Sequence, residues 1–246
     1  MQDVTFLIKT FERPQCLQAL LASIATYHPT VAVLVCDDSS LEGSHRTLNE
    51  QMMMGRAHWR YCPTDYDVGL SAGRNILIEQ CRTPYFVLFD DDFILFGESH
   101  VEYMVDYVRH DLFDICGGAL RHERRNPVHF EGFFKINGQT LHCWHERRSL
   151  SPMRCDIVFN FLAGKTEVAQ RVQWDDDLKM GEHYEFFIRC KEHGVRVGYC
   201  PATSAIHKPY RGHAYADARQ RKSHKYRDLF YQKRGFTQVA GRLNEA

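Results

Sequence analysis

The sequence predicts an α/β protein built on a mixed, mainly parallel sheet, with helices on both faces and a small antiparallel insertion. Three observations predict it. Short apolar runs alternate with helical periods from residue 4 to residue 90, in the order β-α-β-α-β-α-β with short loops; that alternation makes a parallel sheet with right-handed crossovers. The runs are apolar almost throughout, as strands covered on both faces are. Residues 121–156 then break the pattern: they are rich in His, Arg and aromatics and carry Asn137-Gly138, a hairpin signal.

Residues 4–9 (VTFLIK) form the first strand. Pro14 suits the start of a helix, Leu17, Leu20, Leu21 and Ile24 share one face, and Pro29 ends it. Residues 31–36 (VAVLVC) form the second strand, which stops at the turn and cap formers Asp37-Asp38-Ser39-Ser40. A polar helix runs to about Met54, a third strand covers 57–62 and a third helix covers 71–81. The fourth strand, 84–90, ends in the most informative run of the chain, VLFDDDF at 87–93. Beyond it the sequence predicts a helix at 98–110, a strand at 113–119 and the insertion. An apolar run at 157–162, helices at 166–172 and 182–193, a strand at 195–200 and a basic helix at 216–234 follow.

Composition narrows the partners. With 44% hydrophobic and 25% charged residues, the 246-residue chain reads as an ordinary globular protein. Lys plus Arg equals Asp plus Glu at 31 each, and no stacking module is visible, so no nucleic-acid partner is expected. No run approaches the ~18 apolar residues of a membrane span, and no signal peptide is visible. The expected location is the cytoplasm, at the inner membrane face if the basic helix touches lipid. The nine cysteines form no CxxC pair and several lie in or beside apolar segments, so reduced thiols are expected. No GxGxxG follows the first strand and there is no GxxxxGK[ST], which disfavours classical dinucleotide and P-loop sites.

The chemistry starts at Asp90, Asp91 and Asp92. Three adjacent carboxylates repel one another unless a cation neutralises them. Oxygen ligands suit Mg²⁺ or Mn²⁺, ions that usually bridge to substrate phosphates, and ligands bind beyond the carboxyl ends of strands in open α/β sheets. The plain alternative is an acidic turn or helix cap. Residues 10–13 and 37–40 also follow strand ends, so in a parallel sheet all three clusters meet on one edge. Asp38 could accept the imide N–H of a uracil there, with Thr10 and Arg13 lining the same pocket.

The runs VLVCDDSS, DVGLSAGRN and VLFDDDF resemble the nucleotide-sugar half of GT-A glycosyltransferases, especially their family 2 group. NFLAGKTEVAQRV, GEHYEFFIRCKEHGVRVGYC and AIHK resemble the catalytic domains of ganglioside- and Sd(a)-type β-1,4-N-acetylgalactosaminyltransferases, and the likeness covers roughly residues 4–208. It implies a GT-A, Rossmann-like fold and a UDP-sugar donor, with Mn²⁺ or Mg²⁺ as cofactor. The chain then divides into residues 1–215, with a nucleotide-binding half at 1–97 and an acceptor and catalytic half at 98–215, and a basic tail at 216–246. By the resemblance Asp38 contacts uracil with Thr10 and Arg13 nearby, and Arg74 approaches the ribose or diphosphate. Asp90 meets the ribose or its hydration shell. Asp92 ligates the metal with Asp91 as helper or alternative, and His207 is the late metal ligand.

Transfer with inversion needs a general base, and the resemblance to inverting GT-A enzymes implies a carboxylate at the start of a late helix. That place reads Gly181-Glu182-His183-Tyr184-Glu185, where His183 stands in the position of the Asp base of many relatives. Glu185, which matches the H-x-EFF pattern, is the first expectation, Glu182 the second and His183 a third. A simple helix cap is the alternative for both glutamates. Asp156 and Asn160 are expected beside the donor sugar, or else in ordinary strand-end hydrogen bonds. Trp144, Trp174 and Tyr210 are candidates for stacking on sugar rings, of which one at most is expected to do so. Asp175-Asp176-Asp177 reads as a solvated loop bordering the acceptor site. The basic tail fits either contact with anionic lipid or a helix packed on the domain.

The expected function is inverting, metal-dependent transfer of GalNAc or another hexose or N-acetylhexosamine from a UDP-sugar to a glycan or glycolipid, as in polysaccharide biosynthesis. A retaining enzyme on the same fold, a nucleotidyltransferase and a non-catalytic sugar-nucleotide-binding or scaffold protein are the alternatives.

Overall fold

The computed structural model describes residues 1–122, 127–145, 151–209 and 213–241, without the side chains of 213–221. Strands β1 (Val4–Thr10), β2 (Ala32–Asp37), β3 (Trp59–Pro63) and β4 (Tyr85–Asp90) alternate with helices α1 (Pro14–Tyr27), α2 (His45–Met53) and α3 (Leu70–Gln80). They pair in the order β3-β2-β1-β4, all parallel. Then come β5 (Phe93–Ile94), α4 (Val101–Arg109), β6 (Ile115–Arg121), β7 (Gly132–Asn137), β8 (Thr140–His145) and β9 (Met153–Cys155). The chain continues through β10 (Leu162–Lys165), α5 (Thr166–Val172), α6 (Glu182–Glu192), β11 (Val197–His207), α7 (His213–Arg234) and β12 (Gln238–Ala240).

The large sheet has the order β3-β2-β1-β4-β10-β6-β11-β5, with β9 beside β11. β10 is antiparallel to both its neighbours, so β6 and β11 run in the same direction as β1 to β4. Successive residues of the central strands alternate between two cores, as the pleat requires. Phe6, Ile8, Val87 and Phe89 pack with residues of α1 and α4 on one face. Leu7, Phe86 and Leu88 pack with residues of α3, α5 and α6 on the other. This two-sided cover explains why the strands are apolar at every position.

Several strands were not legible, and two of these pieces shape the edge of the large sheet. β5 is two residues long and pairs antiparallel with the end of β11, setting Phe93 opposite His207. β11 itself continues past residue 200 to His207, with an irregularity between Tyr199 and Ser204.

The insertion is a hairpin, β7 with β8, turning at Gly138 in the left-handed region (φ +55°). β12 adds a third strand parallel to β8, so the C-terminal segment returns to the body of the protein. Tyr226, Phe230 and Phe236 join the same core as Phe134 and Leu141. Ion pairs tie α7 down. Lys222 meets Asp67 at 2.8 Å, Lys233 meets Asp175 and Asp177 at 2.7 Å, and Arg234 meets Glu185 and Glu192 at 2.7 Å. The acidic run 175–177 therefore anchors this helix rather than standing as a solvated loop. The side chains of Arg219 and Arg221 lie outside the described residues, as does Tyr210. Among the described residues no helix is long and apolar enough to cross a membrane. All nine cysteines are free thiols, and all but Cys16 are buried.

Candidate active site

The parallel strands bring their carboxyl ends to one edge: Thr10 from β1, Asp37 from β2, Asp90 from β4, Arg121 from β6 and His207 from β11. β10 runs the other way, so the residues before it, including Asn160, arrive at the same edge.

Asp91 is fully buried and faces inward. It accepts a hydrogen bond from the Thr10 hydroxyl at 2.7 Å and is ion-paired with Arg13. Burial, together with its neighbours Asp92 and Asp90, pushes its carboxyl up to about 6 against the pull of Arg13 and Thr10. Asp92 is 8% exposed and sits between Arg13, at 3.0 Å, and His207, whose Nε2 lies 3.6 Å from Asp92 Oδ2. The β5–β11 pairing creates this approach, with the Lys208 amide donating to the Asp92 carbonyl at 2.9 Å. Thr10 and Arg13 are thus partners of Asp91 and Asp92.

Asp38 is held elsewhere on the edge. Lys9 ion-pairs with one carboxylate oxygen, and the Gly69 amide donates to the other at 2.9 Å. Lys9 is a residue the sequence reading missed; its signal was a lone lysine in an apolar strand. Its stem passes over Gly73, where an added Cβ would lie 2.4 Å from Lys9 Cδ. Gly69 has φ +98° and stands where a Cβ would meet Lys179 at 2.6 Å. The glycines of VGLSAGRN thus permit two close approaches that fix Asp38. Asp37 is buried too. Burial raises its carboxyl, but hydrogen bonds from Ser39, Tyr61 and Asn49 outweigh it and hold the group below its usual range.

Arg74 is buried and spans two carboxylates. It ion-pairs with Glu182 and meets Asp90 at 2.8 Å. Burial would lower its pKa, but Glu182 and Asp90 outweigh burial and keep it firmly protonated. This bridge pins the first turn of α6 to the Asp90 turn.

The three base candidates separate. Glu182 is committed to Arg74. Glu185, the first expectation, is turned to the C-terminal helix: Arg234 holds Oε1 at 2.7 Å, and burial raises its carboxyl despite that partner. His183 Nδ1 lies 2.9 Å from Asn160 Oδ1, and burial lowers its imidazole to about 4, so it is neutral near pH 7. Asp156 is not at this edge. It accepts from the Phe134 amide at 3.0 Å and from Lys191 at 2.6 Å. Lys191 is at the far end of α6, about 13 Å along the helix from Glu182. His122, also missed by the sequence reading, follows β6 and lies 5.7 Å from the His207 ring. Trp174 is buried and stacked on Phe186 at 4.0 Å, so it is a core residue.

Among the described residues no three His, Cys, Asp or Glu side chains converge as a ready metal cage. Asp92 and His207 nevertheless fit one carboxylate and one imidazole ligand of a divalent ion. His207 Nδ1 is buried with no hydrogen-bond partner among the described residues, leaving Nε2 as the ring atom turned to Asp92.

The model of glycosyl transferase family 2 matches residues 5–158, which include β1 to β4 and the Asp90–Asp92 turn. The chain belongs to glycosyl transferase family 2. This family 2 chain is 32% identical to mouse (Mus musculus) β-1,4 N-acetylgalactosaminyltransferase 2 over 212 residues, 83% of this chain and 39% of that protein. It is 30% identical to rat (Rattus norvegicus) β-1,4 N-acetylgalactosaminyltransferase 1 over 208 residues, 80% of this chain and 37% of that protein. The chain therefore spans about two-fifths of these relatives. Its GT-A fold is shared with S. aureus TarS 1-349 in complex with UDP-GlcNAc, at a TM-score of 0.63 and 14% identity, over 86% of this chain and 60% of that one.

Proposed function

We propose that this chain transfers a sugar from a UDP-sugar to a hydroxyl of a glycan or glycolipid, with inversion. GalNAc is the sugar its relatives' names favour, with another hexose or N-acetylhexosamine as the alternative. The observation that carries the reading is the convergence of Thr10, Asp38, the Asp90–Asp92 turn and His207 on one sheet edge in a family 2 chain.

Asp38, ion-paired with Lys9, accepts the uracil imide, and Thr10 and Arg13 hold Asp91 and Asp92 in place on the same edge. Arg74 places positive charge beside Asp90, where the ribose and diphosphate would lie. Asp92 and His207 would hold Mn²⁺ or Mg²⁺. When bound, such an ion offsets the charge that develops on a departing diphosphate. His183 takes the proton of the acceptor hydroxyl. Asn160 Oδ1 accepts from Nδ1–H, which in the neutral imidazole leaves Nε2 as the basic nitrogen. A pKa of about 4 gives this imidazole the basicity of an ordinary carboxylate. Glu182 serves through Arg74, and Glu185 through Arg234, as positioning groups.

Thermal unfolding with UDP, GDP or CMP, each with Mn²⁺ or EDTA, tests the donor half. A ligand at ~100 times its dissociation constant adds about 2.7 kcal/mol, so a UDP-specific, Mn²⁺-dependent rise in Tm is expected. A folded protein that ignores all three nucleotides would overturn the reading and favour a non-catalytic role.

A further inference from the structure

The β7–β8 hairpin has an inner and an outer face. Phe134, Leu141 and Cys143 point into the core. The alternate residues, Phe133, Lys135, His142 and Trp144, line the outer face. Phe133 and Trp144 are cross-strand partners whose rings stack at 6.0 Å with planes 19° apart. Trp144 is 42% exposed, whereas Trp59 and Trp174 are 6% and 3% exposed. A large aromatic held flat by a neighbour and left in solvent is uncommon unless something covers it.

This platform lies on the opposite face of the hairpin from the candidate active site. The next pair along the hairpin is Gly132 with His145. From the inner face the His145 ring meets Phe130 at 5.5 Å, and Phe130 in turn lies 6.0 Å from the His183 ring. The rest of the outer face is polar. Gln238 from β12 donates to the Thr140 hydroxyl at 3.1 Å, Lys135 and His142 are exposed, and the three strands place no carboxylate there.

We infer that this face is a pyranose-binding platform, set apart from the reaction centre, that holds an outlying ring of the acceptor glycan. Trp144 covers the C–H face of a sugar ring, Phe133 sets its tilt, and Lys135, His142, Thr140 and Gln238 hydrogen-bond the hydroxyls. A single aromatic stack ringed by hydrogen-bonding groups matches a sugar, which has an apolar face and a polar rim. A lipid or protein core would need a wider apolar patch. The assignment of the bound sugar as acceptor rests on the proposed transfer reaction; sugar binding itself does not.

The test titrates the whole chain, without donor or metal, with methyl β-D-galactopyranoside, methyl β-D-glucopyranoside and methyl N-acetyl-β-D-glucosaminide. Saturation-transfer NMR and tryptophan emission are the readouts. At least one pyranoside is expected to receive saturation at its C–H face and to shift the emission to the blue, because Trp144 is the exposed fluorophore. Trp144→Ala should raise the dissociation constant about tenfold or more, and Trp144→Phe should keep NMR-detected binding, since a ring face remains. Both variants should melt with the same UDP-dependent shift as the parent. Equal binding by Trp144→Ala, or no binding of any pyranoside to the parent, overturns the platform. A dimer that dissociates in Trp144→Ala by sedimentation would give the face to a second copy and also overturn it. Sugar binding with no UDP shift would keep the platform and remove the transferase reading; the reverse result would do the opposite.

Discussion

At the scale of single residues, the site is a set of charges that neutralise one another. Arg74 is the clearest case, a buried guanidinium shared by Glu182 and Asp90. Arg74→Met would leave Glu182 buried without its partner and should cost about 3–5 kcal/mol, measured by urea unfolding. His183→Gln tests the base. It should lower kcat by about 10²–10⁴ while leaving UDP-dependent stabilisation unchanged, and normal turnover would return the role to Glu182 or Glu185. The same histidine makes a pH prediction. Its folded pKa of about 4 lies below the usual 6.5, so the unfolded chain binds the proton first. Stability is therefore full above pH ~6.5 and falls as pH drops towards ~4, by at most about 3 kcal/mol. The difference in denaturant midpoint between the parent and His183→Gln should shrink over that window. A constant difference would mean that the imidazole is not held neutral by burial.

At the scale of elements, function depends on how segments distant in sequence are brought into register. The two residues of β5 pair with the end of β11 and thereby set His207 beside Asp92. Asp92→Asn should abolish the Mn²⁺ dependence of any UDP shift, and His207→Ala should weaken Mn²⁺ affinity; a normal metal titration in both would remove the pair from metal binding. Helix α3 acts on the other side of the edge. Its Gly73 leaves room for the stem of Lys9, and Lys9 in turn pairs with Asp38. Gly73→Ala should push Lys9 off Asp38, destabilise by about 1–3 kcal/mol and weaken UDP binding. Unaltered UDP affinity in a destabilised Gly73→Ala protein would show that the pair supports packing alone.

At the scale of the whole molecule, the C-terminal segment completes the fold. α7 places Tyr226 and Phe230 in the core shared with α6, and β12 closes the small sheet beside β8. Arg234 is its key anchor, because it neutralises Glu185 and Glu192 on α6. Arg234→Ala should destabilise by about 2–3 kcal/mol, since Glu185 then stays buried with, among the described residues, no close cation except Arg189 at 4.0 Å. Turnover should change far less than stability, given that Glu185 acts as an anchor. A loss of turnover with no loss of stability would restore Glu185 as the base.

The sequence by itself determined the alternation of strands and helices, the parallel half of the sheet, the family motifs and the convergence of strand-end clusters. Each of these follows from local pattern: apolar runs, helical spacing, and turn formers at strand ends. Thr166–Val172 and the start of α6 at Glu182 were legible to the residue for the same reason. Only the tertiary structure decided which charges meet. Glu182 and Glu185 are alike in sequence, three residues apart at the start of one helix. Arg74 lies 108 positions before the first, and Arg234 lies 49 positions after the second. Likewise β5, β10 and β12 are too short to show a period, and their pairing comes from the strands they meet. Local pattern encodes which surface a residue buries; the identity of the partner across that surface depends on long-range register, which no short stretch of sequence carries.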